Sequence, residues 1–322
     1  MKTIRWGIIG VGDVTEVKSG PGFQLAENSE LVAVMRRNGD KARDFAERHG
    51  VPRWYDDGEA LINDPDVDAV CIATPPHVHR EYTLQVAAAG KPVYVEKPMA
   101  LSHAECQAMI GACESAEVPL FVAFYRRALP RFLKVKEIVD SGRIGEPQSV
   151  NIRYYAHPPT FENGEIPWRL LPEISGGGRF IDLAVHTLDF LDYVLGPIQS
   201  AQGITASRDD RYPAEDHVTA TLKFASGVTG VADYCFTAGF HMDETQIVGT
   251  KGIVAFSSFN ENPVTVTDES GVEEFAITNP KHIQRPLIQS IVDELNGKGA
   301  CPSTGVSGAR TTRVTDMILG QG

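Results

Sequence analysis

The chain has 322 residues, 42% of them hydrophobic and 22% charged, and a formal net charge of −12. That length supplies two domains of ordinary size, each able to bury its own core, while the acidic balance and the lack of a long basic stripe exclude nucleic acid as a partner. No apolar run approaches the roughly 20 residues of a membrane span, and five cysteines at 71, 106, 113, 235 and 301, without a Cys-x-x-Cys pair, read as buried thiols and not as disulfides or zinc ligands.

Residues 1–12 are apolar but are interrupted by Arg5 and lead to no small-residue cleavage site, so they read as a buried first strand, and a cytoplasmic location follows. Over the first third, β-rich apolar runs at 4–9, 31–35, 69–73, 92–95 and 119–123 alternate with stretches at 41–49, 79–89 and 102–115 whose apolar residues recur every three or four positions. Ser102 and Glu105 form a capping box at the start of the last of these. Continuously apolar strands separated by helices imply a parallel, doubly wound sheet, a dinucleotide-binding Rossmann domain over residues 1–123.

A helix at 130–140 then leads into runs at 146–155, 198–206, 217–224, 228–236, 244–249, 252–256, 264–267 and 273–277 that are strand-like. Ser226-Gly227 and Thr250-Lys251-Gly252 join neighbouring runs as hairpins do. Residues 124–322 are expected to form a substrate-binding α+β domain with a large, mostly antiparallel sheet. Helices at about 177–195, 285–295 and 306–319 should cover one face. The other face is left to pairing between subunits, in a homodimer or homotetramer.

The first strand runs into Gly10-Val11-Gly12-Asp13-Val14-Thr15, a G-x-G-x-x-T pattern. Two glycines permit a tight turn and close backbone approach to a pyrophosphate at a helix N-terminus, which makes Gly10, Gly12, Asp13 and Val14 candidate cofactor contacts. The third glycine is replaced by Thr15, which should push the next helix off the strand, and Gly20-Pro21-Gly22 should interrupt that helix; by itself the pattern also fits a structural turn. The second strand ends in Met35-Arg36-Arg37-Asn38, where an NAD enzyme usually carries an acidic residue; Glu30 is at the wrong end and Asp40 lies beyond the turn. Arg36 and Arg37 therefore favour NADP, with NAD as the alternative, although an arginine pair outside such a context is ordinary solvated surface.

Thr74-Pro75-Pro76-His77-Val78-His79 follows the third run, at the edge where open α/β sheets bind ligands. Thr74 and Pro75 should wall the nucleotide cleft, with His79 at the start of the next helix. His77-x-His79 lacks a further ligand in a metal-binding pattern, so no metal is expected. Glu96-Lys97-Pro98 closes the next run, and the proline holds Lys97 in extended backbone, projecting its side chain from the carboxyl end of the strand. Glu96 and Lys97 complete the candidate cofactor site. Further on, Gly176-Gly177-Gly178 precedes Asp182 and His186, which share one face of a helix. The glycines either let backbone approach a ligand or serve as a flexible turn. An isolated Asp/His pair of this spacing is common on solvated helices.

Taken in order, Gly10-x-Gly12, Thr74-Pro75 with His79, Glu96-Lys97-Pro98, Ile144-Gly145-Glu146, and Gly176-Gly177-Gly178 with Asp182 and His186 resemble the glucose-fructose oxidoreductase and inositol dehydrogenase family, Gfo/Idh/MocA, over nearly the whole chain. The resemblance implies a Rossmann domain that binds NAD or NADP, a second domain that presents a sugar or polyol, Lys97, Asp182 and His186 as catalytic residues, and a cis bond before Pro98. Ala184 stands where the family commonly has glycine, and Tyr125-Arg126-Arg127 where it commonly has asparagine before the arginine pair; both departures bear on the substrate pocket. Tyr125, Arg127, Tyr155, Trp168 and Arg169 are the candidate substrate contacts, together with Tyr154 and His157 at the end of the same strand as Tyr155, since aromatic rings stack on sugar C–H faces and arginine binds hydroxyls or carboxylates, although tyrosine and tryptophan more often anchor cores.

Oxidising a secondary alcohol moves a hydride to the nicotinamide and removes the hydroxyl proton. Histidine, with an unperturbed pKa of about 6.5, suits the proton step, which falls to His186. Asp182 orients the imidazole or contacts a substrate hydroxyl. The Lys97 ammonium donates a hydrogen bond to the reacting oxygen and relays a proton. A cofactor-binding regulator without turnover and an NAD-dependent glycosidase are the competing readings. Retention of all three side chains argues against the regulator.

Overall fold

A computed structural model of the protein describes residues 1–161 and 164–321. Its chain divides into two units, Met1–Leu129 with Pro280–Ala309, and Pro130–Asn279 with Arg310–Gly322.

The first unit is built on six parallel strands, β1 (Ile4–Ile9), β2 (Ser29–Met35), β3 (Arg53–Tyr55), β4 (Ala69–Ile72), β5 (Val93–Val95) and β6 (Leu120–Val122), in the order β3-β2-β1-β4-β5-β6. Every residue of β4, β5 and β6 is buried, which is why they read as unbroken apolar runs. The three-residue edge strand β3 is too short to carry a periodic signal and has no counterpart in the sequence reading. The helices Gly39–His49, His79–Ala88 and His103–Ser115 lie where periodicity places them. The Ser102 hydroxyl accepts from Glu105 N, and the Glu105 carboxylate reaches back to Leu101 N.

Two expectations for this half are corrected. Gly20-Pro21-Gly22 does not interrupt the helix after the glycine loop; a π-helical turn, Thr15–Ser19, passes directly into the α-helix Gly20–Leu25. The proline falls in the first turn of the α-segment, where its fixed φ suits the helix, and Gly20 is required because a Cβ there would collide with the Thr15 carbonyl. The Arg285–Leu295 helix does not cover the second sheet but belongs to the first unit. Asn296, just after it, accepts from Lys2 N and donates to Lys2 O, and Gly22 leaves room for Ile288. Beyond it, Thr304 pairs antiparallel with Phe121 at the edge of β6. An amphipathic pattern determines that one face is buried, not which sheet buries it. A boundary at 123/124, expected from the sequence pattern, places this segment in the second part instead.

The second unit contains eight strands: β7 (Pro147–Tyr155), β8 (Ile198–Ala206), β9 (His217–Phe224), β10 (Thr229–Cys235), β11 (Met242–Gly249), β12 (Gly252–Phe256), β13 (Val264–Asp268) and β14 (Gly271–Phe275), ordered β14-β13-β12-β11-β7-β10-β9-β8. All neighbours are antiparallel except β7 and β10. Strand alternation divides the side chains: Val150, Ile152 and Tyr154 are buried, while Asn151, Arg153 and Tyr155 take the other face. Against the buried face, the helices Pro130–Asp140 and Arg179–Leu195 pack through Phe132, Phe190 and Phe256, whose rings meet edge to face at 4.9 to 6.1 Å. The opposite face leaves Ile204 79% and Val231 50% exposed. Among the described residues, no helix is long and apolar enough to cross a membrane.

His79 ties two loops of the first unit together. Its fully buried ring lies 2.8 Å from the carbonyl oxygen of Thr74, after β4, and 3.1 and 3.2 Å from those of Pro98 and Met99, after β5. Burial pushes the imidazole from 6.5 down to about 4, against the upward pull of those carbonyls. The unfolded chain therefore binds the proton that the folded protein refuses between about pH 4 and 6.5, and His79 makes stability rise with pH across that window and fall as the pH drops through it. The His79→Asn variant is expected to flatten this slope in denaturation midpoints taken at successive pH values. An undiminished slope would assign it to other groups.

Candidate active site

Strand pairing in the first unit brings the candidate cofactor residues to one sheet edge. Gly10 N donates to Met35 O at 2.8 Å with φ of +97°, and a Cβ at Gly10 would stand 2.8 Å from Thr74 N, so only glycine fits. A Cβ at Gly12 would meet nothing within 4 Å, leaving that position open. The buried Thr15 hydroxyl accepts from Gly12 N at 2.8 Å and donates to Gly12 O at 2.6 Å, closing the loop on itself. Asp13 and Val14 stand at the start of the helical turn, where the first N–H groups have no partner within a helix. The glycine turn thus stands at a helix N-terminus, with Gly10 against Thr74.

The half-buried Arg36 donates to Val11 O at 3.1 Å, across the glycine loop, and Arg37 is exposed. Among the described residues, none at the β2 end is a carboxylate in the place of an NAD-binding acid: Met35 is followed by Arg36, Arg37 and Asn38. The Asn38 side chain caps the next helix through Lys41 N, and Asp40 pairs with Arg43.

Glu96 and Lys97 follow β5, and the Lys97–Pro98 bond is cis. The Glu96 carboxyl is buried and accepts from Gln284 Nε2 at 2.6 Å and from Lys97 N at 3.2 Å; Gln284 Oε1 in turn accepts from the Tyr94 hydroxyl at 2.9 Å. Burial raises the Glu96 pKa, opposed by the Gln284 bond and the Lys97 charge. Glu96 and His79 thus brace the loops from inside. Gln284 was missed because it lies 188 residues from Glu96 in no recognisable motif; its place just before an apolar helix is the only signal it leaves. Tyr125 and Arg127 are also buried in this unit: Arg127 donates to Pro302 O at 3.1 Å, and the Arg126 guanidinium stands 5.2 Å from the Tyr125 ring.

In the second unit, the glycine run is neither an open cradle nor a loose turn. A Cβ on Gly177 would sit 2.5 Å from Ile181 Cγ1, and one on Gly178 would sit 2.6 Å from Ala214 Cβ. Gly178 N donates to Glu215 Oε1 at 3.1 Å, so a carboxyl from a distant loop caps a helix whose own N-cap residue has no side chain. Burial raises the Glu215 pKa, while its backbone hydrogen bonds oppose the shift.

That helix presents Asp182 and His186. Asp182 lies 3.7 Å from Arg169 Nε, and the Arg169 guanidinium stacks 4.4 Å from Trp168, so three sequence candidates meet. His186 is buried edge-on to Phe259, 6.1 Å between ring centres, and Phe259 is 5.2 Å from Tyr154. Tyr155 is corrected: alternation turns it to the open face of the sheet, where its hydroxyl donates to Asp233 at 2.8 Å. Tyr154 is the tyrosine on the helix-bearing side. Among the described residues, no group of three or more His, Cys, Asp or Glu is placed to hold a metal.

Residues 4–124 match the family described as "Oxidoreductase family, NAD-binding Rossmann fold", and residues 132–255 match the GFO/IDH/MocA C-terminal domain. The chain is 39% identical over 319 residues to Oxidoreductase P35 of Formosa agariphila, covering 98% of each. It is 32% identical over 277 residues to myo-inositol 2-dehydrogenase of Thermotoga maritima, covering 83% of this chain and 79% of the relative. The solved aldose-aldose oxidoreductase of Caulobacter crescentus, complexed with glycerol, superposes with a TM-score of 0.86 at 26% identity, over 99% of this chain and 97% of that one. With both halves matched and relatives of this identity along nearly its full length, the chain belongs to the Gfo/Idh/MocA family of oxidoreductases.

Proposed function

We propose that the protein transfers a hydride between a nicotinamide cofactor and a sugar, a cyclic polyol or the corresponding ketone. The observation that carries the reading is the helix Arg179–Leu195, which presents a buried imidazole one turn beyond a carboxylate held by Arg169. Relatives named as a myo-inositol 2-dehydrogenase and an aldose-aldose oxidoreductase support hydroxylated substrates. Bound nicotinamide supplies the hydride chemistry. His186 takes the hydroxyl proton in oxidation and returns it in reduction. Asp182 orients the imidazole or holds a neighbouring hydroxyl, with Arg169 fixing its carboxylate. Trp168 offers a face for sugar C–H groups. Lys97 donates a hydrogen bond to the reacting oxygen, and the Glu96–Gln284 pair keeps its backbone in place.

Purified protein supplied with a panel of sugars and polyols, followed by nicotinamide absorbance, tests the reading. Lys97→Met and His186→Ala are each expected to lower kcat about a thousandfold while leaving cofactor affinity within a few-fold of the parent. Undiminished turnover in both variants would remove the assignment.

The cofactor is NADP on this reading, because the half-buried Arg36 and the exposed Arg37 stand at the end of β2 where no carboxylate does. Neutralising both arginines should weaken NADP by roughly tenfold to a hundredfold and NAD by much less, measured by fluorescence titration. Equal losses would refute a 2′-phosphate pocket.

The protein assembles as a homodimer or homotetramer through the open face of the eight-stranded sheet, where Ile204 and Val231 stand exposed. Ile204→Asp combined with Val231→Asp is expected to yield monomers by light scattering. Persistence of the parent mass would place the contact elsewhere.

A further inference from the structure

Within the connection between β12 and β13, residues 257–262 are held from two sides. Three successive backbone N–H groups converge on one buried carboxylate: Asp243, on β11, accepts from Ser258 N at 2.9 Å, Phe259 N at 2.6 Å and Asn260 N at 2.9 Å. The acceptors of the same loop converge on one buried guanidinium. Arg131, from the helix Pro130–Asp140, donates to Asn260 O at 2.6 Å, Asn262 O at 2.6 Å and Ser257 Oγ at 2.7 Å. Consecutive N–H groups of this kind form an anion-binding concavity, here filled by the protein's own side chain.

Joining two antiparallel strands does not need such a device, since a short glycine-containing turn does it without burying charge. Taking two ionised groups out of water is costly, so their use here calls for something that only exact placement supplies. What the loop places is the surroundings of His186. Ser258 Oγ hydrogen-bonds Thr187 Oγ1 at 2.7 Å, on the residue following His186, and Phe259 sets its ring at 73° to the imidazole. The loop therefore touches two consecutive residues of the helix, Thr187 by a hydrogen bond and His186 by an aromatic edge.

We infer that Asp243 and Arg131 are positioning residues for the His186 imidazole, acting through the 257–262 loop. The inference rests on the reading of His186 as the proton carrier. Neither residue lies in a motif, and neither needs to touch substrate or cofactor. Loss of the Asp243 charge leaves three N–H groups converging on a side chain that can no longer accept from all of them, so the loop must relax and Phe259 with it.

The test uses the full-length protein with histidine-selective ¹⁵N labelling, the His186 ring signals being assigned by their loss in His186→Gln. In Asp243→Asn those signals are expected to shift or broaden, and kcat to fall about tenfold with KM for the nicotinamide cofactor within twofold of the parent. Ser258→Ala removes the hydrogen bond to Thr187 and leaves the Asp243 carboxylate in place; it is expected to lower kcat a few-fold in the same pattern and decides the matter if Asp243→Asn does not fold. Unmoved His186 signals in the folded variant overturn the inference, as does a loss confined to KM for the cofactor. A fully active His186→Ala would instead sink the proton-carrier reading and leave the ring signals to judge the loop's effect on the imidazole.

Discussion

Parallel pairing around β1 is the constraint on which the placement of the first unit's candidate residues depends. The registers match Ile9 with Met35 and with Ile72, Ile72 with Val95, and Val95 with Val122, so that five strands end level. The hydrogen bonds Gly10 N to Met35 O, Ala73 N to Ile9 O, Glu96 N to Ile72 O and Ala123 N to Val95 O carry that alignment one step past the strands. Gly10, Arg36, Thr74 and Glu96 therefore leave the sheet together although they are scattered over nearly ninety positions. Alignment of this kind is why open parallel sheets bind ligands at their carboxyl edge.

The second unit is governed by a different period. Two-residue alternation sends one set of side chains against the helices and the other to an open face, and it decides which of two adjacent tyrosines can stand near the helix Arg179–Leu195. The start of that helix is set by packing too tight for any Cβ at Gly177 or Gly178, and by the Glu215 carboxyl. Asp182 and His186 inherit their positions from that start.

Buried polar side chains in both units serve backbone more than each other. His79 faces three carbonyls, Glu96 holds Lys97 N and the Gln284 amide, Asp243 gathers three N–H groups, and Arg131 binds two carbonyls. A loop has no ladder to satisfy its N–H and C=O groups, and inside a protein these cannot be left to water. Each such side chain therefore fixes a loop, among them the loops that hold Thr74 and Lys97 and the one beside His186.

The sequence by itself determined the two sheet types, nearly every strand and helix, the glycine loop, and the spacing that brings Asp182 and His186 to one helix face, because these follow from local periodicity and short-range sterics. It also pointed to Trp168 and Arg169, which meet Asp182. Only the tertiary structure decided that 280–309 returns to the first unit, that Gln284 braces Glu96, that Tyr154 and not Tyr155 stands on the helix-bearing side, and that Asp243 and Arg131 hold the loop beside His186. The reason is physical. Hydrophobic burial is not directional, so an apolar helix face records that it must be covered without recording by what. A buried polar partner supplied from a hundred residues away leaves no periodic trace in the chain.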